Sequence, residues 1–376
     1  MASDAPKSLS VWSPGRINLI GEHTDYNDGW VLPMAIDRGN TITARQRPDR
    51  LLAATARRFG DQTDSADLAG LRESWPDGWR SYVRGVAQAV LDTGVQLRGA
   101  DLEIDGDLPL SGGLSSSSSL TVGVALALME LVGHHAAKTD LALMAQQAER
   151  KYVGVNCGIM DQLAIAAGQA GHALLIDCRS LAIEPVPLPA NCTVIVIDSG
   201  VPRTLADSAY NQRRAECDRA VATIRTIAPE VVALRDVSPE LLGRAIEQGL
   251  LDETVARRAR HVVHENERTL AAVAALRRGD VAEMGRLMNQ SHASLRDDYE
   301  VSGSELDTLT AMLREMPGVW GARLTGAGFG GCCIALADSA HVEELVRTIG
   351  PRYDAATGRT SLVFSTQAAP GAHVVG

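Results

Sequence analysis

The sequence predicts an α+β fold in two domains, on three observations. Strand-like runs and helical patterns are mixed without the strict βαβ alternation of a doubly wound sheet. The 376 residues exceed what a single hydrophobic core usually supports. A stretch with three prolines, EPVPLPANC at 184–192, precedes a strongly helical second half and reads as the connector. The expected domains are 1–185 and 186–376.

Taken in order, short apolar runs predict strands at 9–12, 41–44, 100–104, 173–176 and 193–197, with helical patterns near 79–93 and 139–152 between them. After the connector, the 3.6-residue period predicts helices at 205–227, 252–278, 281–294 and 304–315. The strand-like runs VWGARL, GCCIAL and SLVFST then surround a helix at 340–349. No internal repeat is present, and the one low-complexity segment is a serine run.

Composition narrows the function classes. A formal charge of −10 argues against nucleic acid as a partner, since such affinity comes from clustered Lys and Arg. An anionic ligand must be met by a local device instead. With only three phenylalanines, the core must rest on Leu, Val, Ile and Ala. The six cysteines form no C-x-x-C pair, which suits reduced thiols in a cytosolic protein. No signal-like core opens the sequence, and the longest apolar run, 120–132, is too short for a bilayer, so the expectation is a soluble cytoplasmic protein without a membrane partner.

Three segments carry the chemistry. PLSGGLSSSSSL, 109–120, resembles a linker but opens directly onto the apolar TVGVALALMELVG. Glycines and serines at that junction place backbone N–H groups at a helix N-terminus, where an anion is favoured, although a plain capping loop has the same composition. LTGAGFGGCC, 324–333, is a second glycine cluster; it precedes a strand, unlike a dinucleotide fingerprint, and reads as a tight turn or a close approach to phosphate. SPGRINLIGEHTDYNDG, 13–29, packs donors and acceptors between apolar stretches, which suits a small polyhydroxylated ligand. A metal on Glu22, His23 and Asp25 is disfavoured because adjacent residues point apart in most backbones. HVVHENE, 261–267, has Arg268 where a zinc protease has its second histidine, so it reads as ordinary helix.

Together these segments resemble the galactokinase branch of the galacto-, homoserine-, mevalonate- and phosphomevalonate-kinase superfamily. GRINLIGEHTDYNDGWVLPMA is similar to the galactokinase signature, and 109–118 to the phosphate loop P-x-x-x-G-L-S-S-S-A. Ser111 stands where galactokinases commonly carry Gly or Ala, and Ser118 where the motif has Ala. AERKYVGVNCGIMDQLA, RARHVVHENERTLAA, SHASLRDDYEVSGSELD and GARLTGAGFGG extend the resemblance over nearly the whole chain. It implies a mixed-sheet N-terminal domain and an α+β C-terminal domain, with the active site in the cleft between them.

The resemblance also implies roles. Asp161 matches the catalytic aspartate and Arg16 the arginine beside it. Glu22, His23, Thr24, Asp25, Gly158 and Tyr210 match the galactose-binding positions. Ser111, Gly112, Gly113, Leu114, Ser115, Ser116 and Ser117 match the nucleotide phosphate loop, with Trp79 and Tyr82 near the nucleotide. Ser117 and Glu149 match the Mg²⁺ ligands. The implied reaction moves the γ-phosphate of ATP to the C1 hydroxyl of D-galactose in a monomer or weak homodimer. A kinase for another hexose or an N-acetylated one, and a non-catalytic sugar and ATP sensor, are the competing expectations.

Overall fold

A computed structural model describes residues 7–72, 75–109, 113–202 and 206–375, with backbone only at 206–208. The first half contains β1 (Ser8–Asn18), β2 (Trp30–Val31), β3 (Pro33–Gln46), β4 (Leu51–Ala56), β5 (Gln62–Asp67), α1 (Trp79–Asp92), β6 (Ala100–Gly106) and α2 (Ser116–Leu131). Next come α3 (Lys138–Gln147), a π turn at Ala148–Val153, α4 (Met160–Ala167), β7 (His172–Asp177) and β8 (Ile183–Pro187). The remainder runs β9 (Cys192–Asp198), α5 (Ala206–Ile224), α6 (Pro239–Glu247), α7 (Glu253–Arg277), α8 (Val281–Asp297) and α9 (Ser304–Arg314). It closes with β10 (Val319–Leu324), β11 (Cys332–Asp338), α10 (Val342–Thr357), β12 (Leu362–Thr366) and β13 (His373–Val375).

Three sheets organise these elements. A six-stranded sheet has the order β13-β1-β3-β6-β4-β5, a four-stranded sheet β10-β11-β9-β12, and a three-stranded sheet β2-β7-β8. The pairings are antiparallel except β4 with β6, so the large sheet is mixed. Strands β4 and β5 were not expected; LLAATA lacks β-branched residues at its start and QTDSAD is a largely solvent-facing edge. The connector reading also needs correction. Its first residues form β8, paired with β7, and the prolines are tolerated because β8 is an edge strand. The expected division at residue 185 thus falls inside β8, and β13 returns across it to pair with β1.

Alternation along β9 shows how the cores are shared. Ile195 and Ile197 enter a core with α5, α6, α7 and α9, while Val194 and Val196 enter another with Ile17, Leu19, Met34 and Met288. That second core joins the two halves of the chain. A third lies beneath the large sheet, where α2 is buried almost all round, as its uniformly apolar sequence requires. All six cysteines are free thiols. Among the described residues, no helix is long and apolar enough to cross a membrane.

Candidate active site

Arg16 reaches the site from β1 just after a register jump: Pro14 faces Gly39, but Arg16 faces Ala35. Such an irregularity bends a strand and re-aims its side chains. The Arg16 Nε donates to Asp161 Oδ1 and Nη2 to Oδ2, each at 2.7 Å, and Nη1 donates to the Gly113 carbonyl at 2.8 Å. Asp161 sits in the first turn of α4, where the helix dipole favours a carboxylate. Burial is the largest influence and would lower the Arg16 pKa, but the charge and hydrogen bonds of Asp161, with the charges of Glu22 and Asp25, together hold the guanidinium above its ordinary value.

The loop after β1 turns sharply at Gly21 and at His23, both with positive φ. Glu22 is buried, accepting from the Gly326 N–H at 2.8 Å and meeting Arg323 Nη1 at 3.4 Å. His23 Nδ1 pairs with the Tyr26 hydroxyl at 2.9 Å, and burial pushes its pKa well down. Asp25 lies against Gly158: a Cβ there would stand 1.6 Å from Asp25 Oδ2, so any side chain at 158 would displace that carboxylate. Burial, then the charges of Asp161 and Glu22, push the Asp25 pKa up to about 7.

These groups line a cavity of about 250 Å³ with Gly113, Ser115, Ser117, Glu149 and Tyr210. A second cavity of about 290 Å³, walled by Phe59, Trp79, Tyr82 and Leu120, has Ser116 and Ser117 on its rim. Ser117 lines both, so the two spaces meet at the start of α2. Gly326 closes on the loop from the other half; a Cβ there would lie 3.3 Å from the Gly113 carbonyl. The two glycine segments singled out in the sequence therefore abut.

Glu149 is carried by the π turn that continues α3, a distortion frequently found at functional sites. Its Oε1 accepts from Ser118 at 2.9 Å, Thr121 at 3.0 Å and Gln162 at 3.1 Å. Burial nevertheless pushes its pKa up to about 7. Among the described residues all three bonds fall on Oε1, which leaves Oε2 as oxygen-donor capacity, and Ser117 lines the same cavity. A buried carboxylate with a neighbouring hydroxyl fits a magnesium ion, which prefers few protein oxygens and completes its shell with water and phosphate.

Not every expected residue faces a cavity. Thr24 is turned inward, its hydroxyl donating to the Gly21 and Trp30 carbonyls at 2.8 Å each, so it shapes the loop and does not line the cavity. Leu114 is buried and offers its carbonyl to the Arg16 N–H. Ser111 and Gly112 lie outside the described residues. Other residues were not anticipated. On α7, Glu265 Oε1 accepts from the Gly21 N–H at 3.0 Å, Asn266 Oδ1 from the Trp30 N–H at 2.9 Å, and His261 Nε2 meets the Glu22 carbonyl at 3.0 Å. Asn156, Cys157, Asn211 and Ala327 also line the first cavity.

Residues 3–46 match the galactokinase galactose-binding signature, 81–169 the GHMP kinase N-terminal domain and 272–354 the GHMP kinase C-terminal domain. A galactokinase of Roseiflexus sp. (strain RS-1) is 49% identical over 361 residues, spanning 96% of this chain and 91% of that protein. The chain belongs to the galactokinase family. A structure of Lactococcus lactis galactokinase complexed with galactose superposes with a TM-score of 0.93 at 38% identity, covering 98% of this chain and 95% of that one. A mevalonate kinase structure, 17% identical, shares the fold at a TM-score of 0.66 over 96% of this chain and 98% of its own. Membership of the galactokinase family makes this an ATP-dependent sugar kinase with the two-domain α+β GHMP fold. Arg16 and Glu22 to Asp25 fall inside the galactokinase signature match, while Glu149 and Asp161 fall inside the N-terminal-domain match.

Proposed function

We propose that this chain transfers the γ-phosphoryl group of ATP to the C1 hydroxyl of D-galactose, yielding galactose 1-phosphate and ADP. The observation that carries this reading is the meeting of the two cavities at Ser117. A base held between Trp79 and Phe59 leads its phosphates past the start of α2 into the polar cavity where Asp161 waits. No side chain caps α2, so its first N–H groups are available to those phosphates.

In the polar cavity, the galactose hydroxyls meet His23, Asp25, Tyr210 and the backbone around Gly158, a set rich in donors and acceptors. Asp161 accepts the C1-hydroxyl proton, or orients it, as the C1 oxygen bonds to the γ-phosphorus. The bond from phosphorus to the β–γ bridging oxygen breaks, and ADP leaves with that electron pair. Arg16 locks the Asp161 carboxylate by two contacts and brings positive charge to where the transferring group is negative. Ser117 and Glu149 would hold Mg²⁺, which supplies charge neutralisation on the phosphates. General-base help is worth about 10²- to 10⁴-fold, so alignment by the two loops must supply much of the rest.

ADP release measured across a panel of free sugars, with and without Mg²⁺, tests the reading. Release with galactose that requires Mg²⁺ is expected. Release only with another sugar, or binding without release, would overturn it.

A further inference from the structure

Ser115 stands at the N-cap of α2, where serine is favoured because its oxygen accepts from the N–H two or three residues on. Here it makes no such bond. Its backbone is left-handed, φ 60° and ψ 46°, a conformation that glycine adopts freely and serine does not. The side chain is buried, and its Oγ donates instead to Asp161 Oδ2.

We propose that Ser115 is a positioning residue that fixes the Asp161 carboxylate and selects the oxygen that acts. This rests on the reading of Asp161 given above. Among the described residues, Oδ2 receives two donors, Arg16 Nη2 and Ser115 Oγ, while Oδ1 receives one, Arg16 Nε. Oδ1 therefore keeps the lone-pair capacity to take a sugar hydroxyl. The loop itself is tied to Arg16 twice more, through the Gly113 carbonyl and through the Leu114 carbonyl to the Arg16 N–H. Ser115 is thereby held where its hydroxyl reaches the carboxylate and cannot serve the helix. A left-handed serine carries a backbone strain that glycine would avoid, and its hydroxyl is used on the carboxylate.

The test is kinetic. Ser115→Ala and Ser115→Gly are compared with wild type and Asp161→Asn, alone and combined, for kcat, for KM of galactose and ATP, and for thermal midpoint. Both Ser115 variants should lose about ten-fold in kcat, the scale of one charge-assisted hydrogen bond, with each KM within about two-fold. Ser115→Gly should melt no lower than wild type, because glycine suits the backbone. Added to Asp161→Asn, Ser115→Ala should cause no further loss of the residual rate. Full kcat in Ser115→Gly would overturn the proposal, since only the backbone would then matter. An undiminished loss in the Asp161→Asn background, or an effect confined to the KM of ATP, would overturn it equally. Collapse of Asp161→Asn beside normal kcat in both Ser115 variants would remove the Ser115 role alone. Near-normal kcat in Asp161→Asn would remove both.

Discussion

Two arginine–carboxylate pairs share the cleft, Arg16 with Asp161 and Arg323 with Glu22. The first is two-pronged at 2.7 Å, and its Asp161 side chain keeps 25% of its surface open to the cavity. The second is a single 3.4 Å contact with both side chains at 2% exposure or less, and Arg323 Nε and Nη2 find no partner among the described residues. Asp161 is held in one orientation and left accessible. Glu22 lines the same cavity but is buried, and its Oε1 links the loop after β1 to Gly326 of the other half. The same chemical pair thus becomes a reactive group or an internal tie according to how much of it solvent or ligand can reach.

The contrast can be broken or sharpened by substitution. The largest effect is expected from Asp161→Asn: steady-state assays should show kcat down by about 10²- to 10⁴-fold, with a melting curve close to wild type. A large loss of stability there would mean that the open pair also holds the fold. Glu22→Gln should do the reverse. It removes one of the carboxylates, with Glu265, that face a buried guanidinium, and calorimetry should register about 3 kcal/mol of lost stability. An unchanged melting temperature would show that Arg323 needs no counter-charge. A third carboxylate, Glu149, is buried like Glu22 and lines the same cavity, where it would hold Mg²⁺. Titrating Mg²⁺ against Glu149→Gln should reveal a requirement raised by about ten-fold or more, with galactose affinity unchanged.

The smallest effect concerns Asp25, whose folded pKa is raised to about 7 by burial and then by Asp161 and Glu22. The folded chain then holds this proton more tightly than the unfolded chain. Its contribution to stability is complete below the ordinary carboxylate value and is lost as pH rises through about 7. Relative to wild type, ligand-free Asp25→Asn should gain stability between pH 5 and pH 7.5, by about 1 kcal/mol given the partial exposure of the carboxylate. Parallel melting curves across that range would show that Asp25 ionises as freely as on the surface.

Much of the site was legible because its residues are local in sequence. Arg16, Glu22, His23 and Asp25 lie on one continuous segment, from β1 into the loop after it, and glycines and serines mark the turn into α2. What escaped lies on α7. Glu265 and Asn266 hold Gly21 and Trp30 from more than two hundred positions away, and nothing in HVVHENE announces those partners. The π turn escaped for another reason: AERKYV continues an acceptable helical pattern, and the extra backbone residue that presents Glu149 has no side-chain signature. Strand β8 was hidden by its prolines, which mark a connector until the strand is known to lie at an edge. Helix α10 runs past Pro351, although proline ordinarily ends such a helix, so its expected limit at 349 fell short.

The pairing of β1 with β13 has a bearing on biosynthesis. Ser10, Val11 and Trp12 lie beside Val375, Val374 and His373, so one flank of the large sheet is built from opposite ends of the sequence. While a ribosome works through the intervening stretch, that flank stands unpaired, an invitation to stray strands from other nascent chains. Its last hydrogen bonds form only after β13 has emerged, which makes the sheet that carries Arg16 among the slowest parts of the molecule to be finished.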